Sequence, residues 1–106
     1  MKLLIVLSIK DYQNRVAKIL EEAGIQLFSV IDITGYKKRT ADNTGWFGLG
    51  NGKTNSIALF SFTSERLAEE AVRAIEQCNI EKDKNPFPVR GYILDVEQFS
   101  DKSVVL

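Results

Sequence analysis

The chain has 106 residues, of which 44% are apolar, so it can enclose one hydrophobic core in a single domain spanning residues 1–106. Its 14 basic and 14 acidic residues balance, so no overall electrostatic field exists to attract nucleic acid or an anionic membrane surface. The absence of histidine removes the commonest general base and metal ligand, and the single cysteine, Cys78, has no partner for an intrachain disulfide.

An apolar run at the start of the chain predicts the first strand, from Lys2 to Ile9. The run is too short to cross a bilayer, and the charged residues Lys10 and Asp11 close it, so we do not interpret it as a secretory signal. We therefore expect a protein of the cytoplasm that is not inserted in a membrane.

A helix and a second strand are predicted next. We predict that Asp11 is the N-cap of this helix and that Gly24 ends the helix at its C-terminus. The apolar positions between them recur at helical spacing: Val16, Ile19, Leu20 and Ala23. The β-branched and aromatic residues from Ile25 to about Thr34 then predict the second strand.

The second half of the chain continues with strand, helix and strand. Residues Ser56 to Phe62 predict the third strand, and Ser64 is placed as the N-cap of a helix that runs to about Asn79. The apolar face of this helix comprises Leu67, Ala68, Ala71, Val72, Ile75 and Cys78. The cysteine is therefore expected to be buried and inert. A polar segment closed by prolines follows, and the fourth strand is predicted within Val89 to Phe99.

The predicted order β-α-β-β-α-β, without internal repeats or linkers, is that of a ferredoxin-like α+β domain. In that arrangement four strands form one antiparallel sheet, and both helices pack on the same face of it. The sequence therefore predicts this fold, with a long loop between the second and third strands.

The predicted strands carry apolar residues on both faces, although the helices cover only one. In the first strand, Leu3, Ile5 and Leu7 point away from Leu4 and Val6. In the second strand, Leu27, Ile31 and Ile33 point to the opposite face from Phe28 and Val30. In the third strand, Ile57 and Leu59 point to the opposite face from Ala58, Phe60 and Phe62. About six large apolar side chains would stay exposed. The stabilisation that their burial would contribute, on the order of 10 kcal/mol, would then be lost. We therefore expect a second copy of the chain to cover this face; the alternative is a monomer that binds a partner there.

The segment TGYKKRTADNTGWFGLGNGKTN, from Thr34 to Asn55, is far longer than an ordinary hairpin loop. Three cations lie at its base: Lys37, Lys38 and Arg39. Such a cluster either is simply solvated at a strand end or holds a phosphate through charge-assisted hydrogen bonds. The middle of the loop carries Trp46 and Phe47, and exposed aromatic residues favour a partner or ligand that covers them.

Known chemical signatures do not fit this sequence. The glycine-rich run before Lys53 is not a Walker A motif, because Phe47 stands where that motif requires glycine and a strand follows. Cys78 has no local base, and no spacing typical of an acid–base pair joins Asp32, Asp95 and Glu97. RNA binding requires aromatic residues on the sheet strands, which are mostly aliphatic here. We expect neither an enzyme nor a nucleic-acid-binding protein and assign no metal ligands, although an all-oxygen Ca²⁺ or Mg²⁺ site stays open.

Two segments resemble the PII signalling family, the trimeric ferredoxin-like regulators of nitrogen and carbon metabolism. EEAGIQLFSVIDITGY is similar to the helix end, second strand and glycine–aromatic pair of that family. Gly35 and Tyr36 match the pair, and Lys38 falls where the family has arginine. RGYILDVE is similar to the fourth strand, with Arg90 in place of the family's lysine.

The resemblance implies a homotrimer, a small anionic ligand such as an adenine nucleotide between subunits, and a long T-loop that controls a target transporter or enzyme. The implied ligand site contains Gly35, Lys37, Lys38, Thr63, Ser64 and Arg90. The implied partner-binding loop, residues 36–55, contains Tyr36, Arg39, Trp46 and Phe47. The chain departs from the family where EKDKNPFPV replaces the glycine-rich phosphate loop, and in its last residues, DKSVVL, which lack the family's arginines.

A second family of the same architecture is also similar. GWFGLGNGK and NPFPV resemble the tryptophan hairpin and the proline–aromatic segment of the CutA divalent-ion-tolerance family. Asn85 stands where that family carries a histidine, so the PII resemblance is preferred and a CutA-like metal-tolerance protein is the alternative. A small-molecule enzyme or amino-acid-binding module on the same fold is a third interpretation, for which the sequence offers no catalytic set.

Overall fold

The strands form one antiparallel sheet in the spatial order second, third, first, fourth. The computed structural model describes residues 1–36, 53–81 and 87–100. Within these ranges the elements are β1 Lys2–Ile9, a 3-10 helix Lys10–Tyr12, α1 Gln13–Glu22, β2 Ser29–Tyr36, β3 Lys53–Thr63, α2 Glu65–Glu81 and β4 Arg90–Asp95. This order confirms the predicted ferredoxin-like βαββαβ fold.

The core lies between the sheet and the two helices. Val6 in the central strand β1 is opposite Leu59 of β3 and Gly91 of β4, so these three positions point to the same face. The buried residues on that side are Leu4, Val6, Ile57 and Leu59 from the strands, and Val16, Leu20, Ala68, Ala71 and Ile75 from the helices. Both helices therefore cover the same face of the sheet, as the fold requires.

The end of α1 confirms the predicted glycine stop. Gly24 has a φ of 101°, a left-handed conformation that residues with a Cβ rarely adopt. Its N–H donates to the carbonyl of Glu21 at 3.0 Å, and the Ile25 N–H donates to the carbonyl of Leu20 at 3.0 Å. This pair of bonds is a Schellman motif, which reverses the chain and places Ile25 in the core.

The two predicted N-caps have different outcomes. The Ser64 hydroxyl accepts a hydrogen bond from the Leu67 N–H at 3.2 Å, which confirms the cap of α2. The prediction for Asp11 is wrong, because this residue lies within the 3-10 helix. α1 begins only at Gln13, and Tyr12 occupies its cap position without a side-chain cap bond. The chain leaves β1 through this tight turn, which delays the start of α1.

β2 begins later than the sequence predicts, at Ser29 rather than at Ile25. Ile25 is 2% exposed and belongs to the core between the layers, so it follows the helix end rather than the sheet ladder. The chain then crosses to the sheet, where the Ser61 hydroxyl donates to the carbonyl of Leu27 at 2.6 Å. The apolar and β-branched composition of this segment does not show where the chain passes from the helix layer to the sheet.

The β2–β3 hairpin extends into the segment that the sequence assigns to the long loop. Tyr36 pairs with Lys53, and Gly35 pairs with Thr54, so both ends of that segment are strand. The described part of the β2–β3 ladder therefore ends at the pair Tyr36 and Lys53.

Cys78 is half-buried, which corrects the prediction of a buried thiol. Its position on α2 lines the outer groove between the helices, where it lies with Ile19 and Ala74 rather than in the core. Helical spacing identifies the side of the helix on which a residue lies, but the width of the buried stripe depends on how closely α1 approaches.

Candidate functional site

The sheet face opposite the helices, called the open face below, is apolar on all four strands. Its side chains alternate with those of the core and comprise Leu3, Ile5, Leu7, Ile9, Ile31, Ile33, Ala58, Phe60, Phe62, Tyr92 and Leu94. Ile31 is 50% exposed, Phe62 57%, Tyr92 46% and Leu94 45%. No helix among the described residues packs on this face. The two-sided apolar pattern of the sequence thus corresponds to a surface that the described part of the chain leaves uncovered.

The exposure of the open face is greatest on the edge strands β2 and β4 and at the end of β3. Burying one large apolar side chain stabilises a protein by ~1.5–3 kcal/mol. Four side chains are about half exposed here, so covering them would add about 3–6 kcal/mol of stabilisation. This is less than the sequence alone implies, because neighbouring strands already cover part of the side chains of β1. It is still a sizeable fraction of the ~5–15 kcal/mol by which an ordinary domain is stable.

Two predicted ligand residues, Gly35 and Arg90, lie toward the end of the sheet from which residues 37–52 depart. Gly35 is opposite Thr54 in the β2–β3 hairpin, and Arg90 is opposite Leu7 near the end of β1. The register places both on the open face, where Gly35 is buried and Arg90 is exposed. They occupy opposite edges of the four-stranded sheet, so at least about 14 Å separates them within one chain.

The other two described ligand residues, Thr63 and Ser64, lie at the opposite end of the sheet. Thr63 pairs with Lys2 at the start of β1, nine positions along β3 from the residue opposite Gly35. At ~3.3 Å per strand residue this separation is about 30 Å. One chain therefore does not bring all four residues together. An intersubunit site that contains all four would require the opposite ends of two chains to adjoin.

The predicted partner-binding residues are described only in part. Tyr36, the last residue of β2, is 71% exposed, so its ring is accessible beside the departing connection. The remaining predicted site residues lie outside the described residues: Lys37, Lys38, Arg39, Trp46 and Phe47.

A charged cluster beside Thr63 was missed by sequence reasoning. The ammonium of Lys2 donates a hydrogen bond to the carboxylate of Asp95 and lies 3.6 Å from the carboxylate of Glu65. The hydrogen bond to Asp95 raises the pKa of Lys2, and the same bond lowers the pKa of Asp95. The signal for this pair is the β1–β4 register, which places Lys2 opposite Asp95. The cluster joins the start of β1, the end of β4 and the start of α2.

A groove of about 610 Å³ opens at the same end of the molecule. Leu27 and Phe62 form its apolar part, and Thr63 and Arg66 supply a hydroxyl and a guanidinium. Leu27 is 82% exposed, the largest value for a large apolar side chain among the described residues. This end thus presents apolar and hydrogen-bonding groups side by side, a combination typical of ligand and subunit contacts.

Within residues 1–36, 53–81 and 87–100, no three His, Cys, Asp or Glu side chains are grouped so that they could hold a metal ion. The helices of these ranges are also not long and apolar enough to span a membrane. The described residues of the predicted ligand site lie at the two ends of the sheet, which together with the open face are the candidate functional surfaces.

No family model matches the chain, and no curated protein matches its sequence. Solved structures do share its fold. One is CPII from Thiomonas intermedia, a nitrogen regulatory PII-like protein bound to ADP, AMP and bicarbonate. It matches with a TM-score of 0.65 and 14% identity, over 94% of this chain and 93% of that chain.

Two further structures give the same result. A DUF3240 family protein from Shewanella baltica matches with a TM-score of 0.63 and 16% identity, over 94% of this chain and 93% of that chain. A PII-like signalling protein from Thermus thermophilus matches with a TM-score of 0.56 and 18% identity, over 90% of this chain and 85% of that chain. These matches confirm the ferredoxin-like fold and show that PII-like proteins are among its structural neighbours.

Proposed function

We propose that the chain is a non-enzymatic regulatory protein of PII type that acts in the cytoplasm as a homotrimer. It senses a small anionic metabolite between subunits, with an adenine nucleotide as the first candidate. Through residues 36–55 it controls a partner protein, either a transporter or an enzyme. The observation that carries this proposal is the apolar open face, which a trimer covers by packing the sheets of its subunits together.

The positions of the predicted ligand residues fit a ring in which opposite ends of neighbouring subunits meet. Gly35 and Arg90 lie near one end of the sheet, whereas Thr63 and Ser64 lie at the other. A head-to-tail contact joins opposite ends of two chains and closes into a ring when the rotation between neighbours allows it. In a trimer of this kind each site combines the first pair from one subunit with the second pair from its neighbour.

The chemistry of this intersubunit site fits an anionic ligand. Arg90 supplies a guanidinium at the edge of the open face, and the basic sequence at Lys37 and Lys38 adds two cations. In the groove at the other end, Leu27 and Phe62 offer an apolar surface for an uncharged ring beside hydrogen-bonding groups. CPII, which shares the fold, binds ADP, AMP and bicarbonate, and this supports nucleotides as the first probes.

Isothermal titration calorimetry with ATP, ADP, AMP and cyclic AMP tests the ligand assignment. We expect at least one of them to bind with a Kd well below 1 mM and Arg90→Ala to weaken that binding at least about tenfold, because a charged hydrogen bond to phosphate is lost. Arg73→Ala is the matched control, since Arg73 pairs with Glu70 on the exposed side of α2. If no nucleotide binds below about 1 mM, the ligand assignment is wrong. Retention of copper or zinc in equilibrium dialysis, without nucleotide binding, would favour the CutA-like alternative.

The partner assignment has a separate test. Affinity capture from a cell extract is compared between the wild-type protein and Trp46→Ala, because an exposed aromatic residue on the loop is the expected contact. We expect one transporter or enzyme to be captured by the wild-type protein and lost with the variant. Equal capture by both proteins would remove Trp46 from the proposed interface.

A further inference from the structure

The start of β4 is held against the end of α2 by two hydrogen bonds from one side chain. Asn79 Nδ2 donates to the carbonyl oxygen of Val89 at 2.7 Å, and the Val89 N–H donates to Asn79 Oδ1 at 3.1 Å. The amide of Asn79 thus satisfies both backbone groups of Val89, as a neighbouring strand would. Val89 is 4% exposed and belongs to the core, so water does not readily replace either bond.

Packing on the next residues reinforces this anchor. A Cβ atom at Gly91 would lie 3.2 Å from Ile75 Cδ1 and 3.5 Å from Val72 Cγ2, so the glycine lets β4 approach α2 closely. Arg90 lies between the two anchored residues, Val89 and Gly91, and the register directs it to the open face. The backbone on both sides of Arg90 therefore lies against α2, through hydrogen bonds at Val89 and through close packing at Gly91.

We propose that Asn79 is a positioning residue that fixes the backbone from which Arg90 extends, and thereby sets the affinity for the anionic ligand; this rests on the proposed function. The carbonyl of Val89 belongs to the peptide unit that leads into Arg90, so the bond from Asn79 holds the orientation of that planar unit. A guanidinium binds phosphate oxygens through directional hydrogen bonds. Binding is tighter when the geometry is set before the ligand arrives.

A double-mutant cycle with ADP as the probe, measured by calorimetry, tests this role. We expect Asn79→Ala to weaken ADP binding about tenfold, or about 1.4 kcal/mol. In the Arg90→Ala background the same substitution should have little further effect, because Asn79 acts through Arg90. A residue that only stabilises the fold would lower the fraction of folded protein without this dependence on Arg90.

Hydrogen exchange provides a readout that does not depend on the ligand. In the wild-type protein the Val89 amide should exchange slowly, and Asn79→Ala should accelerate it, because its acceptor is removed. Glu76→Ala, at an exposed position of α2, is the control and should change neither exchange nor affinity. If Asn79→Ala does not fold, Asn79→Asp keeps the acceptor for the Val89 N–H but loses the donor to the Val89 carbonyl, so ADP binding should still weaken. Asn14→Asp, at an exposed position of α1, controls for the added negative charge and should leave ADP binding unchanged.

The outcomes separate this proposal from the proposed function. If the wild-type protein binds ADP and the folded Asn79 variant binds it with equal affinity, the positioning role is wrong and the proposed function is unaffected. Losses from Asn79→Ala and Arg90→Ala that simply add overturn it as well, because the two residues then act independently. If the wild-type protein binds none of ATP, ADP, AMP and cyclic AMP, the ligand assignment fails and the positioning role fails with it.

Discussion

The two faces of the sheet are built from the same strands and have similar apolar content, yet their surroundings differ. On the helix-covered face Leu4, Val6 and Leu59 are each 0% exposed. On the open face Ile31 is 50% exposed and Phe62 is 57% exposed. A sheet with one solvated face alternates apolar and polar residues, and these strands do not. The comparison teaches that the strands carry the two-sided apolar pattern of a sheet with both faces buried, whereas the described part of the chain covers only one face.

The largest expected effect concerns the covered face. Leu59→Ala should lower the free energy of unfolding by about 2–5 kcal/mol at every protein concentration, because its cavity lies within one chain. Ile31→Ala, on the open face, should have an effect that grows with protein concentration, because it acts through assembly. Urea unfolding at several concentrations measures both. If Ile31→Ala and Leu59→Ala lowered the free energy of unfolding equally in dilute protein, the proposed difference between the two faces would be contradicted.

The second effect introduces a charge on the open face. Phe62→Lys should weaken self-association at least about 100-fold, or about 2.7 kcal/mol, because an unpaired ammonium must lose water in the subunit contact. Ile80→Lys is the matched control, since Ile80 is 68% exposed but lies on α2. Sedimentation velocity over a dilution series measures association. If both variants associate like the wild-type protein, Phe62 is not in the contact.

The third effect concerns the closure of the helix layer over the covered face. Gly24→Ala should destabilise the protein by about 1–2 kcal/mol, because φ is 101° and the new Cβ would lie 2.9 Å from Leu67 Cδ2. Gln26→Ala, at an exposed position nearby, should change stability by less than about 0.5 kcal/mol. Thermal unfolding measures both variants, and similar stabilities would mean that the left-handed conformation is not required.

The fold was predictable from the sequence because its local signals are strong. The Ser64 cap, the Gly24 stop and the helical spacing in α2 each depend on neighbouring residues. The Asp11 cap failed because a 3-10 turn competes for the same residues. The predicted start of β2 was wrong because Ile25 belongs to the core but is not paired with a neighbouring strand.

The candidate site was predictable only in part. The open face follows from composition, but Lys2, Asp95 and Asn79 act across 10 to 93 positions of sequence and become visible only once register and helix packing are known. The distance between Gly35 and Thr63 likewise follows from the ladder and not from the residues themselves. Long-range pairing is the information that composition and spacing do not contain.

The smallest expected effect is electrostatic and lies at the sheet end near Thr63. The lowered pKa of Asp95 means that this pair stabilises the fold above about pH 3.8, its ordinary pKa, and that the contribution is lost as pH falls further. The raised pKa of Lys2 means that the contribution is complete below its ordinary value of 10.5 and is lost as pH rises above it. Lys2→Met should remove both dependences with only a small change at pH 7, because the side chain of Asp95 is 82% exposed and water screens the pair. Urea unfolding from pH 3 to 11 checks this expectation, and identical profiles for the two proteins would contradict it.

Sedimentation equilibrium of the wild-type protein at micromolar concentration tests the central claim most directly. One chain has a mass of 11.9 kDa, so a trimer that buries the open face has a mass of about 36 kDa. We expect this larger mass at every concentration down to about 1 μM, since the apolar area on four strands favours association. A mass of 11.9 kDa at that concentration would show that the open face stays uncovered in solution and would contradict the account.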